Sequence, residues 1–370
     1  MKALGVFPAS REVRLVDHPE PTLASPTQVK LRMLEVGICG TDREIVSFQY
    51  GTPPPGSDYL VLGHESLGEV VEVGAGVDRV RPGDLVVPMV RRPCNRPECL
   101  ACRSDRQDFC YTGEFTERGI NGAHGFMTEL VVDDQKYMNL VPSALREVGV
   151  LTEPLTIAEK AIAQVWEVQR RLPWVATKAA GGGARRRGNA VVLGAGPVGL
   201  LGAMALSVAG FATTVYSRAS GAHDKAGLVA SFGGRYVAAE QHSIDDLAAL
   251  VGNIDLVYEA TGASRVAFEM LRALGTNGVF VFTGVPGRKG PIEVDTDRLM
   301  RDLVLENQLV FGTVNADRAA FASAIADLGV FQERWPVALG ALITARQPLS
   351  RSADALLGKA AGIKNVITIG

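Results

Sequence analysis

The sequence predicts an α/β protein in two parts, a β-rich domain and a domain built on a doubly wound parallel sheet. Three observations lead there. The opening quarter of the chain holds short β-branched runs cut by Gly and Pro. Beyond residue 188 strand-like and helix-like runs alternate, the mark of a parallel sheet. Between the two patterns lies a basic, glycine-rich stretch at 178–188, which reads as a linker. A chain of 370 residues is long for one domain, so two is the natural division.

In order, 29–36, 68–73 and 85–88 read as strands. Pro53-Pro54-Pro55-Gly56 marks an extended surface loop before Gly63-His64-Glu65, and Pro82-Gly83-Asp84 a turn into the strand that leads to a cysteine cluster. From Leu155 the period becomes helical, with Ile157, Ala161, Ile162, Val165 and Trp166 on one face. Arg185, Arg186 and Arg187 in the linker read as a solvated loop. Then 189–193 is a strand, 198–209 a helix, and 213–216, 254–258, 279–283 and 309–313 are further strands. The tail from Ala319 returns to amphipathic helices and closes on a strand at 364–369. There is no internal repeat.

Hydrophobic residues make up 47% and charged residues 21%, ordinary for a soluble protein with a sizeable core. A net charge of -2 gives no reason to expect nucleic acid or an anionic membrane as partner. No apolar run approaches the ~20 residues that span a bilayer. The apolar run in Met1-Lys2-Ala3-Leu4-Gly5-Val6-Phe7-Pro8 is too short for a signal peptide, so the cytoplasm is expected.

Cysteine usage agrees with a reducing compartment. Cys94-x4-Cys99-x2-Cys102-x7-Cys110 places four thiols in one loop, as a closed tetrahedral structural zinc site requires. Arg96, Arg103 and Arg106 alternate there with Glu98, Asp105 and Asp108, so no basic face points to nucleic acid. The fifth cysteine, Cys39, stands between glycines two residues before Thr41. With His64, Glu65 and Glu153 from other segments it makes a thiolate–imidazole–carboxylate set. Such a set suits a catalytic zinc that keeps one position open.

Gly194-Ala195-Gly196-Pro197-Val198-Gly199 fits G-x-G-x-x-G directly after a β-branched run and at the start of a helix. The glycines make the turn, admit a pyrophosphate and pack helix on strand. The next strand ends at Ser217-Arg218, where an NAD enzyme usually carries an acid. A hydroxyl and a guanidinium there suit the 2′-phosphate of NADP, with NAD as a further possibility.

Together these residues resemble the zinc-dependent medium-chain alcohol dehydrogenase superfamily over essentially the whole chain. The carriers are Gly63-His64-Glu65-Ser66-Leu67-Gly68 with Gly74, Val77 and Gly83-Asp84. Cys39-Gly40-Thr41-Asp42-Arg43-Glu44, Gly113-Glu114-Phe115, Glu153-Pro154-Leu155, Glu159-Lys160, Val314-Asn315 and Ile363-Lys364 resemble its archaeal glucose dehydrogenase branch. The resemblance implies a GroES-like catalytic domain over 1–186, with a structural zinc lobe at 94–110 and completed by 314–370. A Rossmann dinucleotide-binding domain would occupy 187–313, with the site in the cleft between domains.

The resemblance also implies roles. Cys39, His64 and Glu153 would ligate the catalytic zinc, with Glu65 a ligand or an exchangeable partner. Thr41 would bond the reacting hydroxyl, and Glu65, Glu114, Glu153 and Asn315 would reach the sugar. Thr283, Thr313, Val314 and Asn315 would join Gly194 to Gly199, Ser217 and Arg218 against the cofactor. The implied reaction is oxidation of an aldose at C1 to the lactone with NADP, in a dimer or tetramer. A glutamate third ligand is shared with polyol dehydrogenases. Val90 stands where some glucose-oxidising relatives have Asn, and Glu44 lies near the place of a proton-relay His that is absent. The cysteine loop has four residues between its first two members where two are common. A polyol, alcohol or 3-hydroxy-amino-acid dehydrogenase, and a non-catalytic NADPH sensor, are the alternative readings.

Overall fold

A computed structural model describes residues 1–173, 188–218, 224–287, 290–359 and 361–369. Arg185, Arg186 and Arg187, with the expected domain boundary at 186/187, lie outside the described residues. The chain forms two compact units. One comprises Met1–Thr156, Asn315–Gln332 and Leu339–Gly370, the other Ile157–Val314 and Glu333–Ala338.

The first unit is organised on the strand Gln28–Gly37. Its opening half alternates, so that Val29, Leu31 and Met33 are buried while Arg32 between them is exposed. Glu65–Val73 and Leu130–Asp134 pair antiparallel with it, and Lys364–Thr368 pairs with its last residues. Leu85–Pro88 and Met138–Val141 extend the sheet on one side, and Ile343–Pro348 ends it on the other. Leu4, Val6, Leu31, Met33, Val36, Leu62, Phe126 and Ile367 lie in the core over this sheet.

The sequence places a strand from 68 onward, but it begins at Glu65. Gly63 turns the chain at φ +91°, and Ser66 and Leu67 then go fully into the interior. That shift puts Glu65 on the ladder rather than in a loop. Ile343–Pro348 went unread because its half-exposed Ile-Thr-Ala-Arg-Gln-Pro shows no apolar alternation.

Among the described residues the second unit carries a sheet of six strands. In spatial order they are Arg235–Ala238, Ala212–Ser217, Asn189–Leu193, Leu256–Glu259, Val279–Phe282 and Leu309–Gly312, each pair parallel. The chain starts mid-sheet, steps outward twice, then crosses back and continues the other way, which is the doubly wound order. Ala190, Val191 and Val192 are fully buried, as a central strand covered on both faces demands. Arg235–Ala238, the outer strand, was not anticipated, since only Val237 of its four residues is buried.

Helix Pro197–Val208 is apolar around most of its surface and buried to match. A Cβ on its Gly202 would meet Tyr258 Cε1 at 2.5 Å, so that glycine lets the helix lie flat on the sheet.

Candidate active site and metal centres

Cys39 lies two residues beyond the strand Gln28–Gly37 and caps the short helix Gly40–Val46. Its backbone N–H donates to Asp42 Oδ2 at 2.8 Å, which fixes the thiol's place at the helix start. The other oxygen of that fully buried carboxylate, Oδ1, faces His64 Nδ1 at 3.5 Å. With Nδ1 turned to Asp42, Nε2 is the ring nitrogen left for a ligand. Burial pulls the His64 pKa down, but Asp42 and the Cys39 contact outweigh it, and the imidazole stands well above its ordinary value.

Glu65 follows on the strand Glu65–Val73, opposite Gly37. A side chain at Gly37 would collide with the Glu65 carboxylate, so the glycine makes room for it. Donor atoms of Cys39, His64 and Glu65 all lie within 4.8 Å of one another. Lys364, 2% exposed, bonds Glu65 Oε2 and donates to the Ile38 carbonyl at 3.1 Å. Burial would lower the Lys364 pKa, but Glu65, Cys39 and Glu153 hold it above the ordinary value.

Glu153 sits in the first turn of helix Thr152–Gln169 and is not one of that three-residue group. It is close enough to feel it. Burial first, then the charges of Glu65 and Asp42, raise its carboxyl to about 7 against the pull of His64 and Lys364. Thr41, half-buried, lies in the helix that Cys39 caps.

The second centre is local. Cys94, Cys99, Cys102 and Cys110 bring their sulfurs within 4.8 Å of one another, and none is in a disulfide. Cys94 and Cys102 are 3.6 Å apart and Cys99 and Cys110 3.9 Å. Four thiolates about 2.3 Å from a tetrahedral zinc stand about 3.8 Å apart, whereas a disulfide needs about 2.05 Å. Zinc fits and a disulfide does not. Burial pushes the Cys102 thiol up to about 12; Cys110 comes down to about 6 because hydrogen bonds to Thr112 and neighbouring thiols outweigh burial.

In the second unit the glycine turn has the cradle geometry. Gly194 has φ +102°, and a Cβ there would meet Thr261 Cγ2 at 2.5 Å. One at Gly199 would strike the Gly194 carbonyl, whereas Gly196 opens on space at the helix N-terminus. Ala195 N–H donates to Ser217 Oγ at 3.2 Å, so the strand end lies beside the turn. Arg218 is exposed, and its carbonyl accepts from the Tyr236 hydroxyl.

Other expected contacts have defined neighbours. Thr283 Oγ1 donates to the Glu259 carbonyl at 2.6 Å, and Thr313 Oγ1 accepts from Gln164 at 3.0 Å. The Val314 carbonyl accepts from Lys160 at 2.8 Å. Asn315, at φ +60°, donates to Glu117 Oε1 at 2.8 Å, and Glu117 is held in turn by buried Arg91. Glu114 lies at the surface against Arg96, with half its side chain exposed. Val90 is buried in the core, and Glu44 is half-buried on the helix after Cys39.

The family model of the glucose dehydrogenase C-terminus matches residues 146–369, and that of the alcohol dehydrogenase GroES-like domain matches 25–143. The chain belongs to the zinc-dependent glucose dehydrogenase family. Glucose 1-dehydrogenase of Methanocella arvoryzae is 37% identical over the full length of both chains. That of Thermoproteus tenax is 41% identical over 100% of this chain and 99% of its own. Among solved structures, Haloferax mediterranei glucose dehydrogenase in complex with NADP, Zn and gluconolactone superposes with a TM-score of 0.87. It is 31% identical over 100% of this chain and 99% of that one. The fold is the GroES-like domain with a Rossmann-type parallel sheet that this family uses.

Sequence reading missed the supports of the family's site. Asp42 and Lys364 lie within the motifs of the resemblance, but nothing in their spacing marks either as a support. Glu259 had no motif at all: buried at a strand end, it accepts from the N–H groups of Thr261 at 2.6 Å and Gly262 at 2.9 Å and so shapes the loop against Gly194. Lys225 was missed too. Burial and then the Arg218 charge lower its pKa, which places a second cation near the strand end.

Proposed function

We propose that this protein oxidises an aldose, glucose or a related sugar such as galactose, at C1 to the lactone, with zinc and preferentially NADP. The carrying observation is the Cys39–His64–Glu65 group, half-buried at the thiol and buried at the other two, beside Glu153, in a chain alignable end to end with glucose 1-dehydrogenases. Cys39, His64 and Glu153 are assigned as ligands of the catalytic zinc, with Glu65 as the exchangeable one. Cys94, Cys99, Cys102 and Cys110 are assigned to the structural ion.

When bound, the zinc supplies Lewis acidity toward the sugar hydroxyl and NADP supplies the hydride acceptor. The chain's own residues do the rest. Thr41 orients the C1 hydroxyl. The proton leaves along a carboxylate–water path through Glu153, with Glu65 as the alternative route. Asn315 and Glu114 bind the remaining hydroxyls, Glu114 by exchanging its Arg96 partner. Gly194, Ala195, Gly196, Pro197, Val198 and Gly199 cradle the pyrophosphate. Ser217 and Arg218 take the 2′-phosphate, and Thr283, Thr313, Val314 and Asn315 line the nicotinamide half.

A homo-oligomer, dimer or tetramer, is supported by apolar exposure around the open sheet edge. Val310 on the last strand is 38% exposed, and Met300 and Val304 on helix Thr296–Leu305 are 65% and 69% exposed. A cytoplasmic setting agrees with five unpaired cysteines. Among the described residues no helix is long and apolar enough to cross a membrane. Reduction rates of NADP and NAD with glucose, galactose, xylose, sorbitol, ethanol and threonine test the reading. Aldose turnover with NADP is expected to lead; sorbitol, ethanol or threonine leading would overturn it.

A further inference from the structure

Lys364 and Glu65 come from the two strands that flank Gln28–Gly37, one on each side. Glu65 is opposite Gly37, and so is Val366 from the other flank. Lys364 lies two residues before Val366 and shares its face of the sheet. Any side chain at Gly37 would strike the Glu65 carboxylate, so the glycine leaves a gap over the central strand. Through that gap the ammonium meets Glu65 Oε2 and the Ile38 carbonyl, next to Cys39. Both side chains are buried, at 2% and 1% exposure. A buried pair of this kind fixes geometry more than it adds stability.

We propose that Lys364 is a positioning residue of the zinc site, which holds Glu65 Oε2 across Gly37 and so keeps the Glu65 carboxylate from permanently filling the ligand position that the sugar hydroxyl needs. This rests on the zinc assignment above. Glu65 has an oxygen within 4.8 Å of both the Cys39 and His64 donors, so it is within reach of a shared ion. An anionic carboxylate outcompetes a neutral hydroxyl for zinc unless another cation holds it. Lys364 is that cation. It leaves Glu65 able to approach the metal when the position is vacant and to withdraw when substrate arrives.

The test uses full-length protein with cobalt(II) in the catalytic site, whose visible absorption reports the ligand set without requiring turnover. Wild-type protein is expected to give an intense four-coordinate band that changes when glucose or gluconolactone is added with NADP. In Lys364→Met the freed Glu65 should stay in the fourth position, giving a four-coordinate band shifted from that of the wild type that no longer responds to sugar. The sugar KM should rise at least tenfold while the NADP KM stays within about twofold. Lys364→Arg should restore the response, and Lys364→Met with Glu65→Ala should regain the open position. Should Lys364→Met not fold, Lys364→Gln is read by the same band.

A lysine variant that keeps the wild-type spectrum and its response to sugar overturns the proposal. So does a double variant that stays as closed as Lys364→Met. Wild-type protein with no cobalt band, or none that answers to sugar, would instead defeat the zinc-site reading itself.

Discussion

The two metal centres differ in how the chain builds them. The cysteine centre draws all four thiols from 94–110, and many of its supports are local too. Arg106 pairs with Asp108 at 2.9 Å, and Leu100 N–H donates to the Tyr111 hydroxyl at 3.0 Å. Beyond the loop, Arg106 reaches Asp317 at 3.2 Å and the Asp108 carbonyl accepts from buried Arg91 at 3.2 Å, which anchors it to the rest of its unit. The Cys39 centre takes its groups from residues 39, 42, 64, 65, 153 and 364, which only the pairing of three strands and two helix starts brings together. The first centre should therefore stand or fall with its metal. The second should keep its shape without one, because the sheet holds it.

Breaking the cysteine centre should have the largest effect. Structural zinc supplies on the order of 10 kcal/mol of folding energy in small zinc-dependent folds. If Cys102→Ser forfeits even ~3 kcal/mol of that, thermal unfolding falls by about 10 °C. Calorimetry checks this, and an unchanged unfolding temperature would mean that the loop folds without metal.

His64→Ala at the other centre should do the reverse. Turnover should fall on the order of a thousandfold, the value of a few kcal/mol of lost Lewis acidity. The unfolding temperature should stay within a few degrees, as measured in the same calorimeter.

Glu153→Gln removes the charge but keeps the volume. Its loss should lower kcat about 10²- to 10⁴-fold, the range for a lost acid–base group. NADP binding should be nearly untouched, since Glu153 belongs to the other unit. Activity within a few-fold of wild type would remove Glu153 from both the ligand and the base role.

Proton linkage sharpens the contrast in solution. In metal-free protein burial and neighbouring carboxylates raise Glu153 to about 7, and Asp42 and Cys39 outweigh burial to hold His64 well above its usual value. Both must lose protons to bind metal, so the unloaded form carries more protons. Zinc affinity at this centre should then rise with pH through neutrality. Titration calorimetry at about pH 6 in buffers of different ionisation enthalpy should show protons released per zinc. Heats independent of buffer would contradict it.

The mildest change lies in the second unit. An Arg218 contact to the 2′-phosphate is worth roughly 1.5–3 kcal/mol when protected, about ten- to a hundredfold in binding. Arg218 is exposed, so Arg218→Ala should raise the NADP KM nearer tenfold and leave kcat alone. A KM ratio of NADP to NAD that does not move would return Arg218 to the solvent.

The same contrast explains what was legible in the sequence. Cys94 to Cys110 and Gly194 to Gly199 are short-range patterns whose spacing already states the geometry, and the structure builds both as spaced. The central strands were legible for a similar reason: Asn189–Leu193 and Leu85–Pro88 are β-branched runs with both faces to bury. Arg235–Ala238 and Ile343–Pro348 are sheet-edge strands with little apolar signal, and only pairing partners distant in sequence make them strands. Lys364 illustrates the limit best. A lysine reads as a surface residue until Gly37, far away in sequence, is seen to open the gap that it fills.

Metal analysis during stepwise chelation tests the central contrast most directly. Protein as purified should hold two zinc ions per chain. A competing chelator should remove one together with sugar oxidation, while the circular dichroism spectrum and unfolding temperature stay as they were. The second ion should leave only as the protein unfolds, and returning one equivalent of zinc to the folded, inactive form should restore activity. One zinc per chain in fully active protein, or both ions departing in a single step with activity and fold lost together, would contradict the division of roles.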